Sequence, residues 1–494
     1  MKNLSLKQKF LLGLGLIFLA YLILMLSIPS WRWGHTKDLK KSVVKVFTTT
    51  QNVDFFEPWK AGSQSSVEGC GCVLPGKKIL TLAHNVNKGN FIELEKFGET
   101  KRYVAKVEQS GFDMDLAILS VSDQDFFKDT EPVDFGDVPT KGDKVIVHGG
   151  EELAVKEDTV SGLDVVWVWD AARYMPVLMT DSSIDAKNNG CPVFSRGKLV
   201  GMPLSVSGSD KKGYILPINL IRTFFKDIQD GKPYVGFPDM GVFTQDLVNP
   251  TLRDFYKIPA DQTGVIVSKV LYGSSADGLL KEGDVLQSFD GYAVDNEGYV
   301  TQQKSERVNW YYLFPLHAVG DVVSLDILRD GQKMKVKVPL KPLSCLVPYR
   351  EDNRHPTYYM VAGFVFTPLT GNYFQTVEWK YFKPELRDLY VHGLPSPETK
   401  QVVLLTHVLP HEINKGYERL NNVIVKKVNG KTIHEMKDLI DAFDHPMGNM
   451  DVIDVDDLAY FGSTVVIDAQ KAKQATDEIM ANFKILSDRS QDLK

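Results

Sequence analysis

Residues 180–194, TDSSIDAKNNGCPVF, decide how the rest of the sequence is interpreted. Two shorter segments precede it in the chain. Residues 80–86, LTLAHNV, place His84 after a strand-like run, and residues 113–119, DMDLAIL, place Asp115 before one. Each segment alone is common and would be given a structural role, so their order and spacing carry the information.

The three segments lie in a region, residues 40–230, that is rich in predicted strands. Short apolar runs are separated by Gly, Pro and Asp without a long helical period, a pattern typical of an all-β barrel or sandwich. Asn219–Ile228 predicts a closing helix, and Gly231-Lys232-Pro233 marks a boundary. Predicted strands include Ser42–Thr48, Lys78–Ala83, Tyr103–Glu108, Leu116–Val121, Lys144–His148 and Asp164–Trp169.

Within such a β-rich region, this order of His, Asp and polar loop resembles the Deg/HtrA (Do-like) serine proteases. The resemblance covers nearly the whole chain after residue 32 and is strongest to the two-PDZ Do-like proteases of the plant type. It implies a mainly β fold, a chymotrypsin-like double β-barrel followed by two PDZ-like α+β domains. It also places His84 as general base and Asp115 as the carboxylate that orients it.

The third segment departs from the family at the nucleophile. The family pattern is TDAAINxGNSGGP, and here Asn189 stands at the serine position. An amide nitrogen is not a nucleophile, because its lone pair is delocalised into the carbonyl. Lys187 replaces a glycine of the oxyanion loop, which comprises Lys187, Asn188 and Asn189. The sequence therefore predicts an inactive protease fold. Four residues remain as alternative nucleophiles: Cys191, Ser182, Ser183 and Ser195. An engineered Ser→Asn change is a further alternative.

The resemblance also suggests a pairing for two of the four cysteines. Cys70 and Cys191 both replace small residues at positions that the family brings close together. A Cys70–Cys191 disulfide is expected if the domain lies in an oxidising compartment. The alternative is two small buried thiols that fill space.

The remaining chain divides into segments of different composition. We expect residues 236–341 to form a first PDZ-like block, 342–357 a Pro-rich and charged linker, and 358–494 a second PDZ-like block with a C-terminal extension. Helix is predicted over Asp468–Phe483 and a hairpin at Asp330-Gly331.

The PDZ-like blocks imply peptide binding. Met240, Gly241 and Val242 fall where the family's carboxylate-binding loop lies, and its amides would receive a peptide C-terminus as the peptide adds as a β-strand. Ala362–Val365 is the analogous segment of the second block, for which a packing or assembly role is an equal interpretation. The implied partners are unfolded proteins or peptide C-termini.

Phe10–Ile28 is an unbroken run of apolar or small residues, flanked by lysines. Nineteen such residues in a helix, at about 1.5 Å each, nearly match the hydrocarbon thickness of a bilayer. We expect an uncleaved transmembrane anchor after the tail of residues 1–9. A cleaved signal peptide or a buried helix are the alternatives. The short tail favours a cytoplasmic N-terminus with the bulk outside the cytoplasm, periplasmic if bacterial.

Composition narrows the functional class. Hydrophobic residues make up 43% and charged residues 24%, which excludes wholesale disorder. The net charge of -6 and the lack of a basic stripe argue against nucleic-acid binding. The sequence has no nucleotide-binding glycine motif, and no cofactor or metal is expected.

The sequence thus predicts a membrane-anchored Deg/HtrA-like pseudoprotease that binds unfolded or C-terminal peptide segments. Its role would be protein quality control or regulation of an active relative, as a trimer or larger homo-oligomer or in mixed assembly. The alternatives are an active serine-type endopeptidase with a non-standard nucleophile, and a scaffold whose barrel binds nothing.

Overall fold

The first β-barrel closes from six antiparallel strands along which buried and partly exposed side chains alternate. In the first strand Val44, Val46 and Thr48 point into the core, and the residues between them are partly exposed. This period of two is what a strand with one buried face requires. The spatial order is β1-β2-β3-β6-β5-β4, with β1 Val43–Val53, β2 Ala61–Leu74, β3 Lys78–Thr81, β4 Gly89–Lys96, β5 Arg102–Gly111 and β6 Leu116–Val121.

The second β-barrel repeats this architecture, so the predicted chymotrypsin-like pair of barrels is confirmed. Helix α1 (Ile218–Asp227) follows at the predicted place and buries Leu220, Ile221 and Phe224. The strand order is β10-β11-β12-β9-β8-β7, with β7 Lys144–Gly149, β8 Ala154–Val168, β9 Arg173–Thr180, β10 Val193–Ser195, β11 Lys198–Leu204 and β12 Gly213–Pro217.

The computed structural model describes residues 38–149, 154–206, 211–302, 306–352, 354–376, 378–456 and 464–494. All barrels and sheets belong to one unit, Lys40–Lys494. No helix within these described ranges is long and apolar enough to cross a membrane. The predicted anchor Phe10–Ile28 lies outside them.

The first PDZ-like block contains a sheet in which β14 (Val242–Asp246) forms one edge. The first and last residues of the block lie close together, because β13 (Pro238–Asp239) pairs with β22 (Lys341–Pro342). The predicted hairpin at Asp330-Gly331 joins β20 to β21, and both turn residues have positive φ. The sheet order is β14-β15-β16-β20-β21, with β14 Val242–Asp246, β15 Val265–Val270, β16 Val285–Phe289, β17 Tyr292–Ala293 beside β16, β20 Val322–Arg329 and β21 Gln332–Pro339.

The rest of this block completes its packing. Helix α2 (Pro250–Phe255) and the short pair β18 (Tyr299–Thr301) and β19 (Arg307–Asn309) flank the sheet. A 3-10 turn over Trp310–Leu316 follows, and its Tyr312 hydroxyl accepts a hydrogen bond of 3.1 Å from the α1 residue Asn219.

The second PDZ-like block contains a seven-stranded sheet of order β23-β24-β25-β26-β28-β29, with β27 beside β26. The predicted C-terminal helix over Asp468–Phe483 is present at Ala469–Phe483. The strands are β23 Tyr359–Val361, β24 Phe364–Pro368, β25 Val403–Val408, β26 Val423–Val428, β27 Lys431–Thr432, β28 Met450–Asp456 and β29 Thr464–Asp468. The helices are α3 Pro384–His392, α4 Met436–Phe443 and α5 Ala469–Phe483.

The loop between β1 and β2 joins the first barrel to the second PDZ-like block. The Phe56 ring stacks on the His407 ring of β25, with centroids 4.3 Å apart. Phe55 and Phe56 also pack against an apolar cluster that includes Tyr373 and Phe382. The barrel and the last block therefore share an apolar interface.

Candidate functional site

The pairing of β3 with β6 brings His84 and Asp115 together. His84 lies in a 3-10 turn immediately after β3, and Asp115 immediately precedes β6. His84 Nδ1 is 2.8 Å from Asp115 Oδ2, and the His84 backbone N–H donates to Asp115 Oδ1 at 2.9 Å. Asp115 is buried and has a left-handed backbone, φ 53°. The carboxylate thus fixes the imidazole orientation through two bonds.

A second carboxylate, which sequence reasoning missed, lies beside the same imidazole. Asp170 belongs to the loop between β8 and β9, and its Oδ2 is 3.7 Å from His84 Nδ1. Arg350, from the predicted linker, places Nη1 3.4 Å from Asp170 Oδ1 and also donates to Asp352 at 2.9 Å. Neither Asp170 nor Arg350 lies in a motif, so no local sequence signal could have found them.

These charges set the protonation of His84. Burial lowers the pKa of this imidazole, but Asp115, by charge and hydrogen bond, and Asp170, by charge, together raise it to about 9. Arg350 opposes them only in part. His84 therefore carries a proton at neutral pH, and a protonated imidazole cannot accept the proton of a nucleophile.

The same residues form a group with metal-ligand chemistry. Ligand atoms of His84, Asp115 and Asp170 lie within 4.8 Å of one another in the described part of the chain. A His and two carboxylates suit a cation such as Zn²⁺. However, the Arg350 guanidinium already contacts Asp170, and the protonated imidazole balances Asp115. The arrangement is therefore electrostatically satisfied as an ion-pair network.

Asn189 occupies the position facing the second imidazole nitrogen. Its Nδ2 lies 3.5 Å from His84 Nε2 and donates to Ser205 Oγ at 2.8 Å. Its backbone carbonyl accepts from the Cys70 N–H at 3.2 Å and from Asn85 Nδ2 at 3.3 Å. The amide is thus held where a nucleophilic oxygen would have to be.

The oxyanion-loop residues Lys187 and Asn188 form a 3-10 turn over Ala186–Asn188. The Lys187 N–H donates to Asp185 Oδ1 at 2.9 Å, and the Asn188 N–H donates to the Asp185 carbonyl at 2.9 Å. Both amides are therefore used within the turn. A donor that is already bonded is poorly placed to stabilise an oxyanion.

The structure joins Cys70 to Cys191 by a disulfide, with Cα atoms 4.6 Å apart. The bond ties β2 of the first barrel to the loop that carries Asn189. Between them, Gly190 has φ +82°, and a Cβ there would lie 2.4 Å from the Cys70 carbonyl oxygen. Only glycine fits this approach.

Three of the four alternative nucleophiles use their reactive atom in another bond. Cys191 lies in the disulfide, Ser182 Oγ donates to Asp158 Oδ2 at 2.6 Å, and Ser195 Oγ donates to the Lys144 carbonyl at 2.8 Å. Ser183 accepts a bond from Lys156 through its carbonyl. None of these contacts involves His84.

Of the predicted peptide-binding residues of the first PDZ-like block, Met240 and Gly241 form the turn before β14, and Val242 is the first residue of that strand. Met240 and Val242 are buried in the core, and Gly241 between them has φ +68°. β14 lies at the edge of its sheet, so this block presents a strand edge directly after the turn.

In the second block the structure favours the packing interpretation of the segment Ala362–Val365 over a carboxylate-binding loop. Ala362 and Gly363, with φ values of 50° and 85°, form the two-residue turn of a hairpin between β23 and β24. β23 covers the edge of β24 that a peptide would need, and the Ala362 N–H donates to Thr476 Oγ1 at 2.7 Å.

Two six-stranded barrels that meet at a His-Asp pair and a facing loop define a trypsin-like peptidase fold, and two further sheet-containing blocks follow it in the chain. A family model for a trypsin-like peptidase domain matches residues 69–202, and one for a PDZ domain matches residues 347–492.

Curated relatives agree with these matches. Protease Do-like 2, chloroplastic, from Arabidopsis thaliana is 33% identical over 467 residues, which cover 93% of this chain and 76% of that protein. Protease Do-like 4, mitochondrial, from the same organism is 29% identical, over 90% and 84%. The HtrA-type protease AlgW with tripeptide is a solved structure that is 20% identical, covers 62% of this chain and 95% of its own, and has a TM-score of 0.46. This chain belongs to the Do-like (Deg/HtrA) protease family.

Proposed function

We propose that this member of the family is a pseudoprotease that binds unfolded or C-terminal peptide segments without cutting them. The observation that carries the proposal is the Asn189 side chain, whose amide nitrogen lies 3.5 Å from His84 Nε2. Loss of the nucleophile in a serine protease triad lowers kcat by roughly a million-fold. The site keeps the shape of a peptidase and lacks its reacting atom.

Two further features support loss of catalysis. The Lys187 N–H is bonded to Asp185, which removes one donor of an oxyanion hole. Asp170 adds to Asp115 in raising the pKa of His84 to about 9, which weakens His84 as a general base at neutral pH. The oxyanion loop and the histidine thus agree with the loss of the nucleophile.

The rival function is a serine-type endopeptidase that uses another nucleophile. The disulfide at Cys191 and the hydrogen bonds of Ser182 and Ser195 argue against it. A fluorophosphonate probe, which labels activated serines, distinguishes the two. We expect no labelling of the natural chain above that of a His84→Ala variant, and labelling that depends on His84 would support the rival.

Peptide binding is supported by the sheet edge of the first PDZ-like block. A strand that follows a tight glycine turn and lies at an edge offers main-chain groups to an added strand. The test is suppression of aggregation of reduced insulin B chain by the full-length protein. Protection without fragments supports the proposal, and unprotected aggregation contradicts it.

Location and assembly are part of the same proposal. We propose a single-pass anchor at Phe10–Ile28 with the bulk outside the cytoplasm, and assembly as a trimer or larger, alone or with an active relative. Alkaline carbonate extraction of host membranes tests the anchor, since an anchored chain stays in the pellet. Light scattering of the purified protein tests the assembly, and a monomer mass would contradict it.

A further inference from the structure

The peptide-binding edge of the first PDZ-like block has two distinct parts. Along β14, Phe243, Gln245 and Asp246 are exposed, and β15 is the strand neighbour of β14 in the described residues. At its start, the turn Asp239–Val242 is enclosed by the segment Leu271–Ala276 and the Trp310–Leu316 turn. A ligand that adds to this edge would therefore meet an open strand first and a closed end after it.

The closed end already contains a carboxylate of the chain itself. Asp239 Oδ1 accepts the Gly241 N–H at 2.7 Å. This N–H is one of the donors that a terminal carboxylate would have to use in this turn. A peptide C-terminus would therefore have to displace the Asp239 carboxyl group from this N–H.

The carbonyl groups of the turn are also bonded within the chain. The Met240 carbonyl accepts from the Ala276 N–H at 3.1 Å, and the Gly241 carbonyl accepts from the Leu271 N–H at 2.9 Å. The Val242 carbonyl accepts from the Tyr311 hydroxyl at 3.4 Å. These three carbonyl oxygens tie the turn to neighbouring segments, whereas β14 remains an edge.

We infer that the first PDZ-like block binds an internal, extended segment of an unfolded polypeptide along β14, and that it does not select a free C-terminal carboxylate. This inference rests on the proposed peptide-binding function and narrows its ligand class. Main-chain pairing along an edge strand needs no chain end, so any stretch of an unfolded protein supplies it.

The test compares two forms of the same ligand on the full-length protein. Fluorescein-labelled peptides tiled across the β-casein sequence are each made with a C-terminal carboxylate and with a C-terminal amide. Binding is measured by fluorescence anisotropy. We expect the two forms to bind with dissociation constants within about twofold of each other, a difference well under 1 kcal/mol.

Variants at Asp239 test the cause. Asp239→Ala frees the Gly241 N–H and is expected to make the carboxylate form bind about tenfold tighter than the amide form, as a gained charge-assisted bond implies. Asp239→Asn still accepts from Gly241 and should keep the ratio within twofold. Asp254→Ala, which removes an exposed carboxylate from helix α2 of the same block and not from β14, is the matched control and should not change the ratio. Thermal melts confirm that each variant is folded.

The outcomes distinguish failure of this inference from failure of the proposed peptide-binding function. Carboxylate peptides that bind the natural protein tenfold or more tightly than their amides would overturn this inference and leave peptide binding intact. An unchanged ratio in the folded Asp239→Ala variant would overturn the role of Asp239. No binding by either form would overturn the proposed function, and the inference with it.

Discussion

Replacing Asp170 by asparagine is expected to lower the pKa of His84 while the bond to Asp115 stays in place. Unit charges 3.7 Å apart interact by about 4 kcal/mol at an effective dielectric constant of about 20. Asp170 is partly exposed, and Arg350 lies 3.4 Å from it, so only about a third of this energy should reach His84. That third, about 1.4 kcal/mol, corresponds to a change of one unit in the pKa of His84. Asp170→Asn should therefore lower this pKa from about 9 to about 8.

The assay is a histidine Cε1 NMR titration of the ¹³C-labelled protein. The sequence has ten histidines, and the resonance of His84 is the one that disappears in a His84→Gln variant. Asp164→Asn, in the same β8–β9 hairpin but exposed, is the matched control and should leave the titration unchanged. A natural pKa at or below 6.5, or no response to Asp170→Asn, would refute the reasoning.

The same pKa predicts how stability depends on pH. A folded-state value of about 9 lies above the ordinary 6.5, so the protonated imidazole stabilises the folded state fully below pH 6.5. This stabilisation, about 3 kcal/mol, is lost as the pH rises from 6.5 through about 9. The natural protein should therefore lose about that much more unfolding free energy over this interval than His84→Gln. Equal losses would contradict the assigned charge.

Two further predictions concern the contacts that hold the domains. Replacing both Cys70 and Cys191 by alanine should lower the free energy of unfolding by up to about 5 kcal/mol, because the disulfide spans 121 residues. Chemical denaturation measures this, and an unchanged midpoint would show that the bond is absent. Phe56→Ala should expose His407, whose pKa burial now lowers to about 4, and let that pKa rise towards 6.5. The histidine titration detects the rise, and a value that stays near 4 would show that Phe56 does not cover the ring.

The double barrel and the His84–Asp115 pair could be predicted because they depend on local patterns. Short alternating strands specify barrels. His84 follows β3, Asp115 precedes β6, and β3 pairs with β6. Helix α1 was likewise evident from its apolar period. These features need only the periodicity of short segments and a family order of motifs.

The rest of the site depends on contacts between distant segments. Arg350 reaches Asp170 across 180 residues of sequence, and no motif marks either residue. The role of Ala362-Gly363 stayed open from the sequence, because a glycine after an apolar residue fits a carboxylate-binding loop and a two-residue turn equally well. The pairing of β23 with β24 shows that the two-residue turn is the one formed, and this pairing is visible only in the folded structure.

The central claim is that the peptidase fold remains and its catalysis does not. Release of fragments from fluorescein-labelled casein tests it most directly, with the full-length natural chain, His84→Ala and the double variant Asn189→Ser, Lys187→Gly assayed side by side. We predict that the natural chain releases no more than His84→Ala, and that any turnover gained by the double variant increases towards pH 9 as His84 loses its proton. Turnover by the natural chain that disappears in His84→Ala would contradict the claim.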